Sequence, residues 1–207
     1  PYTLGIEVSR ELGGGRLAVG HFSPIIERNS IVPISREERF QTLRDNQKEI
    51  QVDVYQGEHR MVENNIKLGG VSVEVPAGLA GEQSVEVRFT YNVNGLLEVE
   101  VQVVGTDKMK KLVIDSGDNQ MSEAEIKACF EKLAHLKIHP RDNQENRAIL
   151  ARAERIYQEI LGDNRQFLAA QIERFEYYIE QQDGKQIAVA REQLSGVLDQ
   201  LEGESRF

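Results

Sequence analysis

Up to about Ile114 the apolar residues stand at every second position, and from Met121 onward they recur with a helical period. Period two marks strands with one buried face, and a period near 3.6 marks amphipathic helices. The first pattern runs through Val52 and Val54; Val71, Val73 and Val75; Val85, Val87, Phe89 and Tyr91; Leu97, Val99, Val101 and Val103; and Leu112 and Ile114. Asn94-Gly95 between two such runs predicts a hairpin, and Gly69-Gly70, Gly78 to Gly81 and Gly105-Thr106-Asp107 predict further turns. Short strands at this spacing predict an antiparallel sandwich. The stretch Phe40 to Glu58, FQTLRDNQKEIQVDVYQGE, reads as strand, polar loop and strand, the second strand turning Ile50, Val52 and Val54 to one face.

The second half begins with a capping box, Ser122 with Glu125, for a helix carrying Ile126, Cys129, Phe130 and Leu133 on one side. Pro140 is expected to end or break that helix. A second helix carries Ile149, Ala153, Ile156, Tyr157 and Ile160 and stops at Gly162; a third carries Leu168, Ile172, Phe175 and Ile179 and stops at Gly184. Ile187, Ala190, Leu194, Leu198 and Leu201 mark a fourth, with Asp163 and Asp183 as caps. Short connections make the last three antiparallel neighbours. The polar junction from Asp115 to Met121 falls where the period changes and reads as a hinge. The expected fold class is therefore β + α: an antiparallel β-sandwich over residues 1–117, then an α-helical bundle over residues 118–207.

Composition narrows the function classes. The net charge is −9, with 13 basic against 18 acidic residues up to Asp118 and 12 against 16 after it. Neither half gathers the Lys and Arg that a phosphate clamp needs, so no nucleic acid is expected. No window approaches the roughly 18 apolar residues of a membrane span, and the opening PYTLGIEVSR lacks the order of a signal peptide, so the cytoplasm is the expected location and no membrane partner is expected. The single cysteine, Cys129, excludes an intramolecular disulfide.

Catalytic chemistry finds little support. His21 and His59 are scattered, while His135 and His139 share a helix face at i, i+4 without the carboxylate of a zinc motif, so no metal is expected. Cys129 sits on an apolar stripe and reads as a buried structural thiol. Gly13-Gly14-Gly15 lacks the Lys-Ser/Thr of a phosphate loop and reads as a hairpin tip. Glu86, Glu98 and Glu100 alternate along strands, as on a solvent face. A sandwich with apolar residues and unpaired edges near its loops suits binding of an extended chain, through main-chain hydrogen bonds and an apolar pocket.

Several runs carry a resemblance. PYTLGIE (Pro1 to Glu7) is similar to the PxSLGIE opening, and IERNSIVP (Ile26 to Pro33) to the IxRNTxIP segment, of the substrate-binding domain of DnaK-type heat-shock chaperones. Phe40 to Gln47 and Gln56-Gly57-Glu58 follow in register. VEVRF (Val85 to Phe89) with NVNGLLEV (Asn92 to Val99) resembles the family's IEVTFxxDxxGILxV, and Met121 to Ile126 its LSxEEI helix start. The matches cover the sandwich almost completely and the helices in pattern more than in letters. A shortened helical part resembles the specialised HscC branch.

The resemblance implies a molecular chaperone in which the sandwich is a peptide-binding subdomain and the helices its lid. It implies a channel lined by Ile6, Val8, Phe40, Ile50, Val52 and Val85, with Ile50 in the central pocket. Ser9 and Leu43 would arch over the bound backbone and Asp45 would contact the lid. Ser9 stands where the family usually has Met, Leu43 replaces a small residue, the first hairpin is extended by Arg10 to Gly20, and Pro76 to Gln83 lacks the Arg that latches the lid. A narrower client range is expected from the bulkier Leu43. The family's ATPase lies amino-terminal to this region, so these residues are expected to hold no catalytic site and no cofactor, ATP and Mg belonging to that other domain. Unfolded or extended polypeptides are the implied partners, with a J-domain co-chaperone for the full-length protein; self-association stays open. The competing expectation is a dedicated assembly or regulatory scaffold that binds one protein client.

Overall fold

The computed structural model describes residues 2–11, 17–115 and 122–204. The glycine run at 13–15 and most of the expected hinge lie outside them. Eight strands form two four-stranded antiparallel sheets, as the alternation predicts. They are β1 (Leu4–Glu11), β2 (Leu17–Ile26), β3 (Ile34–Gln41), β4 (Glu49–Gln56), β5 (Ile66–Glu74), β6 (Ser84–Tyr91), β7 (Leu96–Val103) and β8 (Met109–Asp115). One sheet runs β2-β1-β4-β5 and the other β3-β6-β7-β8. The inward residues of both, among them Ile6, Val52, Val54, Val85, Val87, Phe89, Val99 and Val101, make one core. The β6–β7 hairpin turns on Asn94-Gly95, with Gly95 at φ 84° and the Asn92 side chain accepting from the Asn94 and Leu96 amides at 2.9 Å. Gly5 has no alternative: a Cβ there would meet Ser23 O and come within 2.8 Å of the Phe22 ring.

Gly69 and Gly70 differ from expectation. They form no turn but lie inside β5, opposite Val54 and Asp53. A Cβ at Gly69 would come 3.2 Å from Leu112 Cδ2, and one at Gly70 would collide with Asp53 Oδ1. Both glycines thus lie where distant side chains approach the strand closely, not where the chain bends.

The helices are α1 (Glu123–Lys132), α2 (Gln144–Glu159), α3 (Gly162–Glu180) and α4 (Gly184–Glu204). The Ser122–Glu125 capping box opens α1 as expected. Pro140 does not end it: α1 stops at Lys132, a 3-10 turn follows over Ala134–Lys137, and Pro140 opens another over Pro140–Asp142. His135 and His139 therefore share no helix. Gly162, expected to stop α2, adopts φ 63° at the first position of α3. Asp163 is no cap but lies in the first turn of α3, where its charge suits the helix dipole. Asp183 does cap α4, accepting from Lys185 N and Gln186 N at 3.0 and 3.2 Å.

The chain divides into two compact units, Pro1–Lys137 and Ile138–Phe207. Helix α1 and the turn after it thus fold with the sandwich. In the second unit α2, α3 and α4 enclose a core of Ala153, Ile156, Leu168, Phe175, Leu194 and Leu198.

Glu98 and Glu100 also depart from the solvent-face expectation, each being only 6% exposed. Lys111 of β8 and Lys137 of the 3-10 turn cover them: Lys111 Nζ lies 2.6 Å from Glu100 Oε1, Lys137 Nζ lies 2.9 Å from Glu100 Oε2, and Lys137 also pairs with Glu98. Glu86 is half-buried and pairs with Arg39.

Candidate functional site

Strands β1 and β4 are neighbours in the first sheet, yet their ladder is short. It pairs Leu4 with Gln56, Gly5 with Tyr55 and Ile6 with Val54, and goes no further. Beyond it β1 stays paired with β2 as far as Glu11, and β4 stays paired with β5 back to Glu49. Residues 7–9 of β1 and 50–53 of β4 consequently lack each other as ladder partners. Two strand edges facing one gap can offer main-chain hydrogen bonds to an inserted extended chain.

Six of the expected site residues fall in or against one core cluster. Ile6, Ile50, Val52 and Val85 belong to the buried core, and Val8 and Phe40 pack against it half-buried. Phe40 lies directly opposite Val85 across the β3–β6 ladder, which places β3's end beside the start of β6. Exposure separates these residues into two groups. Val52 and Val85 are 1% and 0% exposed and Ile6 3%, so they belong to the sandwich core, whereas Val8, Ser9 and Phe40 keep open surface, with Ile50 still buried at 8%.

The loop 42–48 carries the chain from β3 in one sheet to β4 in the other, and it is braced rather than loose. Thr42 N donates to Gln83 O and Gly81 N to Thr42 O, at 2.9 and 2.7 Å; Asn46 N donates to Gly78 O at 2.7 Å. The Gln47 side chain closes the loop, accepting from Leu43 N at 3.0 Å and donating to Glu49 O at 2.9 Å. Asp45 accepts from Ala80 N at 2.9 Å, which ties it to the loop after β5. Leu43 is 42% exposed beside a shallow cleft of about 680 Å³ shared with Leu17, Arg44, Ala80 and Gly81.

Motif residues outside the gap hold the frame. Glu58 accepts from Thr3 N at 2.9 Å and Thr3 Oγ1 at 3.1 Å, pinning the start of β1 to the end of β4. The hydrogen bond donated by the Thr3 backbone N–H, outweighing the penalty of burial, keeps the Glu58 carboxyl below its ordinary range. Cys129 is half-buried, its Sγ 3.0 Å from Asn92 Nδ2. No group of three or more His, Cys, Asp or Glu able to hold a metal occurs among the described residues, nor does any helix there reach the length and apolarity of a membrane span. The sequence pattern did not single out Lys137, whose partners stand far away in the chain; paired glutamates at i, i+2 on β7 were the only available signal.

Comparison with known proteins adds a family. The sequence profile described as Hsp70 protein matches residues 3–205. The chain is 39% identical over 132 residues to chaperone protein DnaK of Thermosipho africanus (strain TCF52B), 63% of this chain and 20% of the relative. It is 36% identical over 132 residues to that of Thermotoga maritima (63% and 20%), and 37% identical over 127 residues to that of Nitrosopumilus maritimus (61% and 18%). The chain thus spans about a fifth of the length of the curated relatives it matches. With the profile covering nearly all of its residues, the chain belongs to the Hsp70/DnaK chaperone family.

Proposed function

We propose that this chain is the substrate-binding region of its chaperone and captures extended apolar segments of unfolded polypeptides in the gap between β1 and β4. The end of the β1–β4 ladder at Ile6 and Val54 carries the reading. A client strand entering there would bond to the main chain on both sides, with Val8, Phe40 and Ile50 meeting its side chains and Ile6, Val52 and Val85 forming the wall behind. Ser9 and Leu43 would arch over the client, and Asp45 would meet the lid. Functionally, residues 1–117 are the peptide-binding subdomain and 118–207 the lid segment, α1 belonging to the lid segment although it packs within the first unit. The short helical part suits the HscC branch, while Ser9, Leu43 and the extended first hairpin depart from the general family pattern. On this reading ATP hydrolysis and a J-domain co-chaperone concern the longer protein, these residues turn over no ATP, and the site of action is the cytoplasm.

One Leu-sized side chain contributes about 1.5–3 kcal/mol on burial, so a single pocket supports micromolar or weaker affinity. Fluorescence anisotropy with labelled apolar peptides, with and without ATP, tests this. Binding that ignores ATP and disappears in folded Ile50→Asp is expected; unchanged affinity in that variant would remove the pocket. A dedicated scaffold binding one client is the second reading, favoured by Phe167 and Tyr177, which stand 50% and 60% exposed on α3. One dominant partner in a lysate pull-down, in place of many unfolded chains, would support it.

A further inference from the structure

On the outer face of the second sheet, charges alternate in a row across four strands. Glu37 of β3 faces Arg88 of β6, Arg88 faces Glu100 of β7, and Glu100 faces Lys111 of β8. This face is covered: Glu37, Thr90, Leu96, Glu98 and Glu100 are all buried. Part of the cover is the turn Ala134–Lys137, which packs against β3 and β6. Lys137 is the pin. Its side chain is only 16% exposed, reaches both Glu98 and Glu100, and lies 5.9 Å from the centre of the Phe130 ring of α1.

We propose that Glu98, Glu100, Lys111 and Lys137 form a charge clip that decides whether α1 and the turn after it stay docked on the outer face of the sandwich. Lys111 reaches Glu100 at 2.6 Å but Glu98 only at 4.0 Å, so Glu98 depends on Lys137. Docking therefore buries two carboxylates and needs two ammonium groups to balance them. Undocking returns Lys137, Glu98 and Glu100 to water, where hydration offsets the lost ion pairs, so such a contact is released at less cost than an apolar one of the same area. Because Lys137 is the last residue of the first unit, the clip sets how much of the chain is bound to the sandwich before the helical unit begins at Ile138. The inference does not rest on peptide binding.

Hydrogen–deuterium exchange on the 207-residue chain tests it. In Lys137→Met the amides of residues 126–137 should exchange about tenfold faster or more, while β6 and β7 keep their protection. Glu98→Gln with Glu100→Gln should release the same segment, since Lys137 then has no carboxylate to meet. Combining all three substitutions should restore protection, because neutral amides no longer require a buried cation. Exchange in Lys137→Met within twofold of the unsubstituted chain overturns the clip. So does a loss spread evenly over the sandwich, or a triple variant no better protected than Lys137→Met.

Discussion

Leu43 offers the most direct measurement of what the braced loop does. The side chain keeps 42% of its surface exposed, and the hydrogen bond that the Leu43 backbone N–H donates to Gln47 Oε1 does not depend on it. By area, the part of the side chain already covered contributes about 0.9–1.7 kcal/mol, so truncation to Ala should lower stability by about that much and leave the sandwich folded. Binding should respond as well. Complete burial of a Leu-sized side chain contributes about 1.5–3 kcal/mol, so covering the exposed fraction contributes about 0.6–1.3 kcal/mol when a client lies beneath it. At about 1.4 kcal/mol per tenfold, Leu43→Ala should weaken peptide binding about three- to eightfold. Anisotropy titrations of a labelled Leu-centred peptide measure the Kd, and a urea midpoint recorded in parallel confirms the fold. An unchanged or tighter Kd in a variant that the urea transition shows to be folded would refute the arch. Ile50 makes a useful contrast: already 8% exposed, it gains little apolar burial from a client, so its substitution acts through shape and charge.

Two further outcomes concern stability. Phe175, 0% exposed at the centre of the helical unit, should cost about 3–5 kcal/mol when cut to Ala; exchange protection should collapse across α2, α3 and α4 and persist in the sandwich, and uniform loss across both units would contradict their separate cores. Burial pushes the Glu100 carboxyl up, but hydrogen bonds from Lys111 and Lys137 outweigh it and leave the group below its ordinary value. A lowered carboxylate contributes stability that is complete above its unfolded pKa of about 4.3 and is lost as pH falls through the folded value. Urea unfolding of the chain and of Glu100→Gln, with Glu98, Arg88, Lys111 and Lys137 all retained, should give a stability gap that is flat above about pH 6 and shrinks in acid. A gap independent of pH would show that the lysines do not hold that proton away.

Local order was legible because its causes are local. Alternation at Val85, Val87, Phe89 and Tyr91 specifies a strand whatever pairs with it, Asn94-Gly95 supplies the left-handed turn, and Ser122 with Glu125 closes two amides within one helical turn. The runs that resemble the chaperone family lie in these same strands and loops, so the sandwich and the list of candidate site residues could be written from the letters. What could not be read depends on neighbours distant in the chain. Gly69 and Gly70 look like a turn until Leu112 and Asp53 come up against them. Glu98 and Glu100 look solvated until Lys137 arrives from 39 and 37 residues further on. The gap itself belongs to this second kind. Every residue of β1 and β4 is compatible with a continuous ladder, and where pairing stops depends on the register each strand keeps with its other neighbour. Periodicity is a property of a segment, whereas register and burial belong to pairs of segments, and only folding brings the pairs together.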